Sequence, residues 1–250
     1  MKTAIIMTGQ ARSFATTFRT QNWNFYRNLP DPHFFVSIND DADADAMKVI
    51  GEKYPLKMEK VQDKILPEPK DGAQLASFAG YGFGGTIQRV LQQHYALKRG
   101  WEYFREQPDH DTFDLIVRLR PDLWVQDFVP PDYSKIGLFD CHTPWYSSFG
   151  GVNDRFAIMG YMAAKAYMTV YDKHQALWDA GCPLHHETMV RAAMEMDGVR
   201  VKQDLLAEYR ICRKTKPGEP VQIVPEQMWP HDWARMMALT SGIPAWKTQE

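Results

Sequence analysis

The sequence predicts an α/β domain built on a mixed, mostly parallel sheet flanked by helices, and three observations predict it. The chain opens as strand, glycine-containing turn and helix: Thr3 to Met7 is largely apolar, Thr8-Gly9-Gln10-Ala11-Arg12-Ser13 turns, and a helical stretch follows from Phe14 to Arg27. A second run, Asp114-Leu-Ile-Val-Arg-Leu-Arg-Pro-Asp-Leu-Trp-Val125, begins with the branched, continuous hydrophobicity of an interior parallel strand. Between and after these two, strand-length and helix-length patterns alternate over 250 residues without a repeat or a low-complexity tract.

The remaining elements follow in order. His33 to Ile38 is a second strand, and Asn39-Asp-Asp-Ala-Asp-Ala-Asp45 leads into a helix ending at Glu52. Asp41, Asp43, Asp45 and Glu52 have the spacing of a calcium-binding loop, but Ala46 stands where its sharp turn needs glycine. These acids read instead as complements to a helix N-terminus. Leu56 to Val61 is a third strand, Pro67 to Gly85 a glycine-rich loop, and Thr86 to Glu106 a long amphipathic helix. After the central run come a strand at Lys135–Asp140, an aromatic loop at Cys141–Gly151 and an extended segment at Val152–Met159. Helices at Tyr161–Leu177 and His185–Met196, strand pieces at Val199–Lys202 and Ala207–Arg213, and a tail with Trp229, His231, Trp233 and Trp246 complete the chain.

Composition narrows the function. With 44% hydrophobic and 24% charged residues the chain supports a sizeable core, and its formal net charge of -2 gives no general positive field for nucleic acid. Cys141, Cys182 and Cys212 are far apart, with no C-x-x-C pair, and read as buried thiols of a reducing compartment. No stretch reaches the roughly 18 apolar residues of a spanning helix, and the short N-terminal run reads as a strand rather than a signal. The expected location is therefore the cytoplasm.

The chemistry concentrates at a few positions. Arg118, Arg120 and Asp122 alternate, so on a continuous strand they share one face. Two guanidinium groups and a carboxylate at a strand end are too costly to bury idle, which points to an anionic ligand. At ~3.3 Å per residue Arg118 and Asp122 stand ~13 Å apart, so all three cannot touch one phosphate; Arg120 and Asp122 are the expected ligand contacts, with Arg118 as a buried structural partner to an acid. Ser13 either caps the first helix or contacts a ligand. Trp145 and Tyr146, with Phe149, lie near Asp154 and Arg155, a combination that stacks on sugar faces and binds hydroxyls when it is not simply core. Glu187, in the first turn of its helix, is either a complement to the helix dipole or an acid/base group. His185 and His186 are neighbours and give no zinc spacing.

Taken together, Thr8-Gly-Gln-Ala-Arg-Ser13, Arg118-Leu-Arg-Pro-Asp-Leu123, Gly151-Val-Asn-Asp-Arg-Phe-Ala157, His185-His-Glu187 and Tyr209-Arg-Ile-Cys-Arg213 form an ordered set. It resembles the glycosyltransferase-like proteins of polysaccharide-assembly clusters and some viral genomes, over roughly residues 3 to 213. The resemblance implies a GT-A-like fold, a nucleotide-sugar donor and a glycan acceptor. It also implies a donor pocket with Gly9, Gln10 and Arg12, joined by Arg118, Arg120 and Asp122, with Asp122 where such enzymes carry the D-x-D that holds Mn²⁺ or Mg²⁺. Here that motif has one acid and two arginines, so the diphosphate is neutralised either by a divalent ion held at Asp122 or by the arginines instead.

On this basis residues 1–128 form the nucleotide-sugar-binding half, 129–213 the acceptor-side half and 214–250 a tail packed on one domain. Asp154 or Glu187 is the expected catalytic carboxylate, and Trp145, Tyr146 and Arg155 the acceptor surface. The expected activity is transfer of a sugar from a nucleoside diphosphate to a glycan hydroxyl. The alternatives are a nucleotide- or glycan-binding module without turnover, or another phosphate-handling transferase.

Overall fold

The computed structural model describes residues 1–68, 87–148, 151–205, 207–213 and 221–224. Within them, β1 (Thr3–Gly9), β2 (Pro32–Asn39), β3 (Leu56–Val61), β4 (Leu115–Leu119), β6 (Asp140–His142), β7 (Phe156–Met159) and β8 (Arg200–Lys202) form one sheet in the order β3-β2-β1-β4-β7-β6-β8. Strands β5 (Leu123–Phe128), β9 (Ala207–Arg213) and β10 (Gln222–Val224) form a smaller antiparallel sheet in the order β10-β9-β5. In the large sheet β3, β2, β1 and β4 run parallel, as do β6 and β8, while β7 is antiparallel to β4 and β6. The α/β class and the mostly parallel sheet expected from the sequence are both present.

Among the described residues five α-helices cover the sheets: α1 (Phe14–Asn24), α2 (Ile87–Arg105), α3 (Tyr161–Met168), α4 (His174–Asp179) and α5 (His186–Met196). The unbroken hydrophobicity of β1 follows from burial on both faces. Ala4 and Ile6 pack with Leu97, Trp101 and Phe104 of α2 and with residues of α3 and α5. Ile5 and Met7 pack on the other side with Phe14 and Phe18 of α1 and with Phe25 and Tyr26. Among the described residues no helix is long and apolar enough to cross a membrane.

The connections create a crevice. From β1 the chain steps outward through α1 to β2 and through a 3-10 segment (Ala44–Glu52) to β3, and α2 then brings it back to β4 on the opposite side of β1. The reversal in strand order leaves a gap between the C-terminal ends of β1 and β4, where open α/β sheets receive ligands.

Three sequence expectations are corrected. The run from Asp114 to Val125 is two strands in two sheets: β4 stops at Leu119, Arg120 donates its backbone N–H to Arg155 O at 3.0 Å, and Pro121, which has no N–H for a ladder, precedes the departure of β5. The helix expected over Tyr161–Leu177 breaks after Met168 into a 3-10 turn and α4. There Thr169 bonds its hydroxyl back to Lys165 O at 2.8 Å, and β-branched Val170 follows. The strand expected from Lys135 begins only at Asp140. The glycine-rich loop from residue 69 onward, Phe149, and the tail's Trp229, His231, Trp233 and Trp246 lie outside the described residues.

Candidate active site

Above the C-terminal ends of β1, β2 and β4 opens a cleft of about 510 Å³, the size of a small-molecule site. Gly9 begins it: its φ of 101 is strained for any side chain, and it turns the backbone sharply so that Gln10 and Arg12 line the opening. Arg118, Arg120 and Asp122 enter from the end of β4, and Asp154 and His186 from the later half of the chain. Helix α2 contributes Arg89, Gln92, Gln93, Ala96 and Arg99, a polar stripe beside its buried Leu91, Leu97 and Trp101. The lining holds Arg12, Lys64, Arg89, Arg99, Arg118 and Arg120 against Asp63, Asp122 and Asp154. On a chain of net charge -2 this is a local excess of positive charge, concentrated where an anion would dock.

The two arginines of the central motif differ. Arg120 donates from Nε to Asp122 Oδ1 at 2.9 Å and from Nη2 to Asp122 Oδ2 at 2.7 Å, a parallel fork across one turn. Arg118 is 6% exposed and donates from Nη1 to Leu119 O at 2.9 Å, while its Nε has no hydrogen-bond partner. No carboxylate among the described residues lies within ion-pair distance of it, so the expected buried acid partner is absent and the roles are reversed: Asp122 belongs to Arg120, and Arg118 faces the cleft unpaired. Burial pushes the Arg118 guanidinium down to about 10, whereas for Arg120 the same desolvation is outweighed by Asp122 and Asp154, which hold its proton more firmly than usual. Arg12 and Arg89 are exposed, and neither makes an ion pair within the described residues.

Asp154 sits at the centre of the later half. Its carboxylate is 3.2 Å from His186 Nε2, 3.6 Å from Arg155 Nε and 3.7 Å from Arg120 Nη1. Burial alone would raise its pKa, but His186, Arg120 and Arg155 outweigh it and hold Asp154 well below the ordinary carboxylate range. Gly151 allows this approach: a Cβ there would lie 2.1 Å from the carbonyl of Glu187, and Val152 N donates to that same carbonyl at 3.0 Å. Asn153 then fixes the loop. Its Oδ1 accepts from Arg155 N and Phe156 N, and its Nδ2 donates to Tyr146 O and the Tyr209 hydroxyl, so the buried amide is fully engaged.

Behind Asp154 lies a group of histidines that the sequence does not announce. His186 stacks on His94 of α2 with ring centroids 4.3 Å apart, and His94 Nδ1 meets His174 Nε2. Burial, with His186 and His174 beside it, holds His94 well below its usual range, and burial with His186 brings His174 and His185 down to about 4. Glu187 is pushed the other way, up to about 8, by burial and then by Asp154. Unfolded histidines titrate near 6.5, so between about 6.5 and 4 the unfolded chain binds more protons and stability falls as pH falls. The unfolded state of Glu187 titrates near 4.3, so between there and about 8 the folded chain binds more protons and stability falls as pH rises. Three histidines outweigh one glutamate on the acid side. The melting temperature is therefore expected to peak near neutrality and drop steeply toward pH 4, with a gentler decline toward pH 8, in a calorimetric pH series.

Other predicted residues lie elsewhere. Glu187 is not among the residues lining the cleft and pairs with His185 Nε2 at 3.3 Å. Arg155 reaches the site through Asp154. Trp145 and Tyr146 line a second, shallow groove with Asp127, Val129, Leu205, Ala207 and Glu208. Ser13 makes no helix cap and instead donates to Cys212 O at 2.8 Å, tying α1 to β9. The donors at Asp122 do not fit a divalent cation: both oxygens accept from Arg120, and Asp154 is flanked by three cationic or potentially cationic side chains. Among the described residues no group of three His, Cys, Asp or Glu could hold a metal ion.

No family model matches the chain, and no curated protein matches it by sequence. Among solved structures it is similar to the galactosyltransferase LgtC in complex with donor and acceptor sugar analogs. The TM-score is 0.46 and the identity 11%, over 80% of this chain and 73% of that one.

Proposed function

We propose that this protein transfers a sugar from a nucleoside-diphosphate sugar to a hydroxyl of a glycan acceptor. The observation that carries the proposal is Arg118: a nine-tenths-buried guanidinium without a carboxylate partner, opening on a cleft at the switch point of an α/β sheet. A buried charge in that state costs stability unless a ligand completes it, and a diphosphate is an anion of the right size and geometry. Gly9, Gln10 and Arg12 then hold the donor from the β1 side, and Arg120, aimed by Asp122, from the β4 side.

Loss of the sugar leaves negative charge on the diphosphate and an oxocarbenium-like centre on the sugar. Arg12, Arg118 and Arg120 stand ready for the first. Of the two candidate carboxylates Asp154 is the one that lines the cleft. Held deprotonated by its three neighbours, it accepts a proton reluctantly, so its contribution is to steady positive charge at the reacting carbon and to orient the acceptor hydroxyl, whose proton passes to the departing diphosphate as the new C–O bond forms. Glu187, up to about 8, carries a proton at neutral pH. The groove of Trp145 and Tyr146 is assigned to more distant parts of the acceptor, with Arg155 behind Asp154.

A second reading, a donor-binding module without turnover, is favoured by one fact: Asp154, the carboxylate that lines the cleft, is held well below the range of an efficient base, and Glu187, pushed up to about 8, does not line the cleft. Thermal denaturation against UDP-, GDP-, CMP- and dTDP-sugars separates the readings when combined with a nucleotide-release assay. A donor at ~100 times its dissociation constant adds ~2.7 kcal/mol of stability, an upward shift of several degrees. A shift with nucleotide release in the presence of glycan is the expected result. A shift without release supports the binding module, and no shift with any donor rejects both.

A further inference from the structure

Resting on the glycosyl-transfer reading, we propose that the donor's diphosphate is bound by guanidinium groups without a divalent cation, and that Asp122 is the positioning residue that aims Arg120 at it. Three observations carry this. Asp122 gives both oxygens to Arg120, at 2.9 and 2.7 Å, so an ion reaching that carboxylate would have to break a two-pronged, charge-assisted pair and then sit against the displaced guanidinium. Asp154 offers no substitute, because Arg120, Arg155 and His186 already surround it. Positive charge for the phosphates is meanwhile present on the protein: among the described residues Arg118 is buried with an unpartnered Nε, and Arg12 lines the same cleft without an ion pair.

The geometry also explains why the central motif keeps one acid. The fork to Asp122 uses Arg120 Nε and one Nη2 hydrogen, and Nη1 stands 3.7 Å from Asp154, beyond hydrogen-bond distance, so the Nη1 hydrogens and the second Nη2 hydrogen remain available to a ligand. An arginine side chain loses much rotamer freedom on binding an anion, and Asp122 removes most of that freedom beforehand. The same logic makes Arg118 a fixed donor, since burial and its bond to Leu119 O leave it little freedom to move.

The test is calorimetric titration with inorganic pyrophosphate, in EDTA and again with Mg²⁺ at equal ionic strength. Binding in EDTA, with an affinity no weaker than with Mg²⁺, is the expected result. Asp122→Asn is expected to weaken that binding by about tenfold, the loss of one oriented charge-assisted contact, while Asp122→Glu, which keeps the ion pair, restores most of it. A purely structural role would show as parallel losses of melting temperature in both variants without that difference in affinity. Binding that appears only with Mg²⁺, and disappears in Asp122→Asn, makes Asp122 a metal ligand and overturns the proposal while leaving glycosyl transfer intact. Absence of binding under both conditions overturns the proposal and the donor reading together.

Discussion

Replacing Arg118 by Met is expected to make the protein more stable and to abolish donor binding. Methionine has a similar reach and fills the space of the arginine stem, but brings no charge into a site that is 6% exposed. The native guanidinium carries a desolvation cost that Asp154 and Asp122, neither within ion-pair distance, offset only in part. Exchange of buried charged groups for apolar ones of similar volume often gains ~1–4 kcal/mol. For a chain of this length that is a rise of roughly 2 to 15 °C in melting temperature. Donor affinity moves the other way. Two charge-assisted hydrogen bonds to phosphate, at ~1.5–3 kcal/mol each, amount to a loss of roughly a hundredfold or more. Arg118→Lys keeps the charge without the planar fork and should fall between the two in affinity. The measurement is a pair of melting curves with donor titrations of wild type and both variants. A lower melting temperature with unchanged donor affinity would make Arg118 a structural residue and remove the main support for the anion site.

The expected gain in stability marks where sequence reasoning succeeds and where it stops. That two arginines and an aspartate at the end of an apolar run would line a cleft is legible from chemistry alone, because such groups are rarely buried without purpose, and Arg118, Arg120 and Asp122 do line one. Which arginine is paired is not legible. Period two assumed one strand through Asp122, whereas Pro121 ends the ladder and the turn folds Asp122 back onto Arg120, two residues earlier. A proline in the middle of the run was the available signal. The resemblance, not the spacing, implies a pocket with Gly9, Gln10 and Arg12, and the three do line the cleft, where Gly9 takes a positive φ.

Long-range associations were less accessible. Asn153 appeared in the sequence only as one letter of a motif, yet its amide joins Tyr146, Arg155, Phe156 and Tyr209, partners up to 56 residues away. His94 belongs to no motif of the sequence, and its contact with His186 depends on how α2 and α5 pack. Arg89, Gln92, Gln93, Ala96 and Arg99 could have been found, because their spacing marks a polar stripe of a helix whose other face is apolar. Aromatic residues gave the weakest guide to place: Trp145 and Tyr146 are together on the surface, but in the groove beside β5 and β9 rather than in the cleft.

The second large effect is expected for Asp154→Asn. Asp154 is the common counter-charge for Arg120 and Arg155 and lies 3.2 Å from His186 Nε2, and its side chain is 5% exposed. Removing one partner of a buried charge pair costs ~3–5 kcal/mol because the other charge is left in low dielectric, and here several groups lose the same partner. The melting temperature is expected to fall by roughly 6 to 20 °C. Glu187 should respond as well: Asp154 is the charged neighbour that raises its pKa, so in the variant Glu187 ionises at lower pH and the alkaline decline in stability moves in the same direction. Donor binding should survive at temperatures where the variant is folded, since Arg12 and Arg118 are untouched, while turnover falls about a hundredfold or more through loss of a charge aimed at the reacting sugar. Melting curves across pH, donor titration and single-turnover transfer assays read these effects separately. Full turnover in a destabilised Asp154→Asn protein would assign the carboxylate to holding the cleft's cations in place and move the search for a reacting group elsewhere in the site.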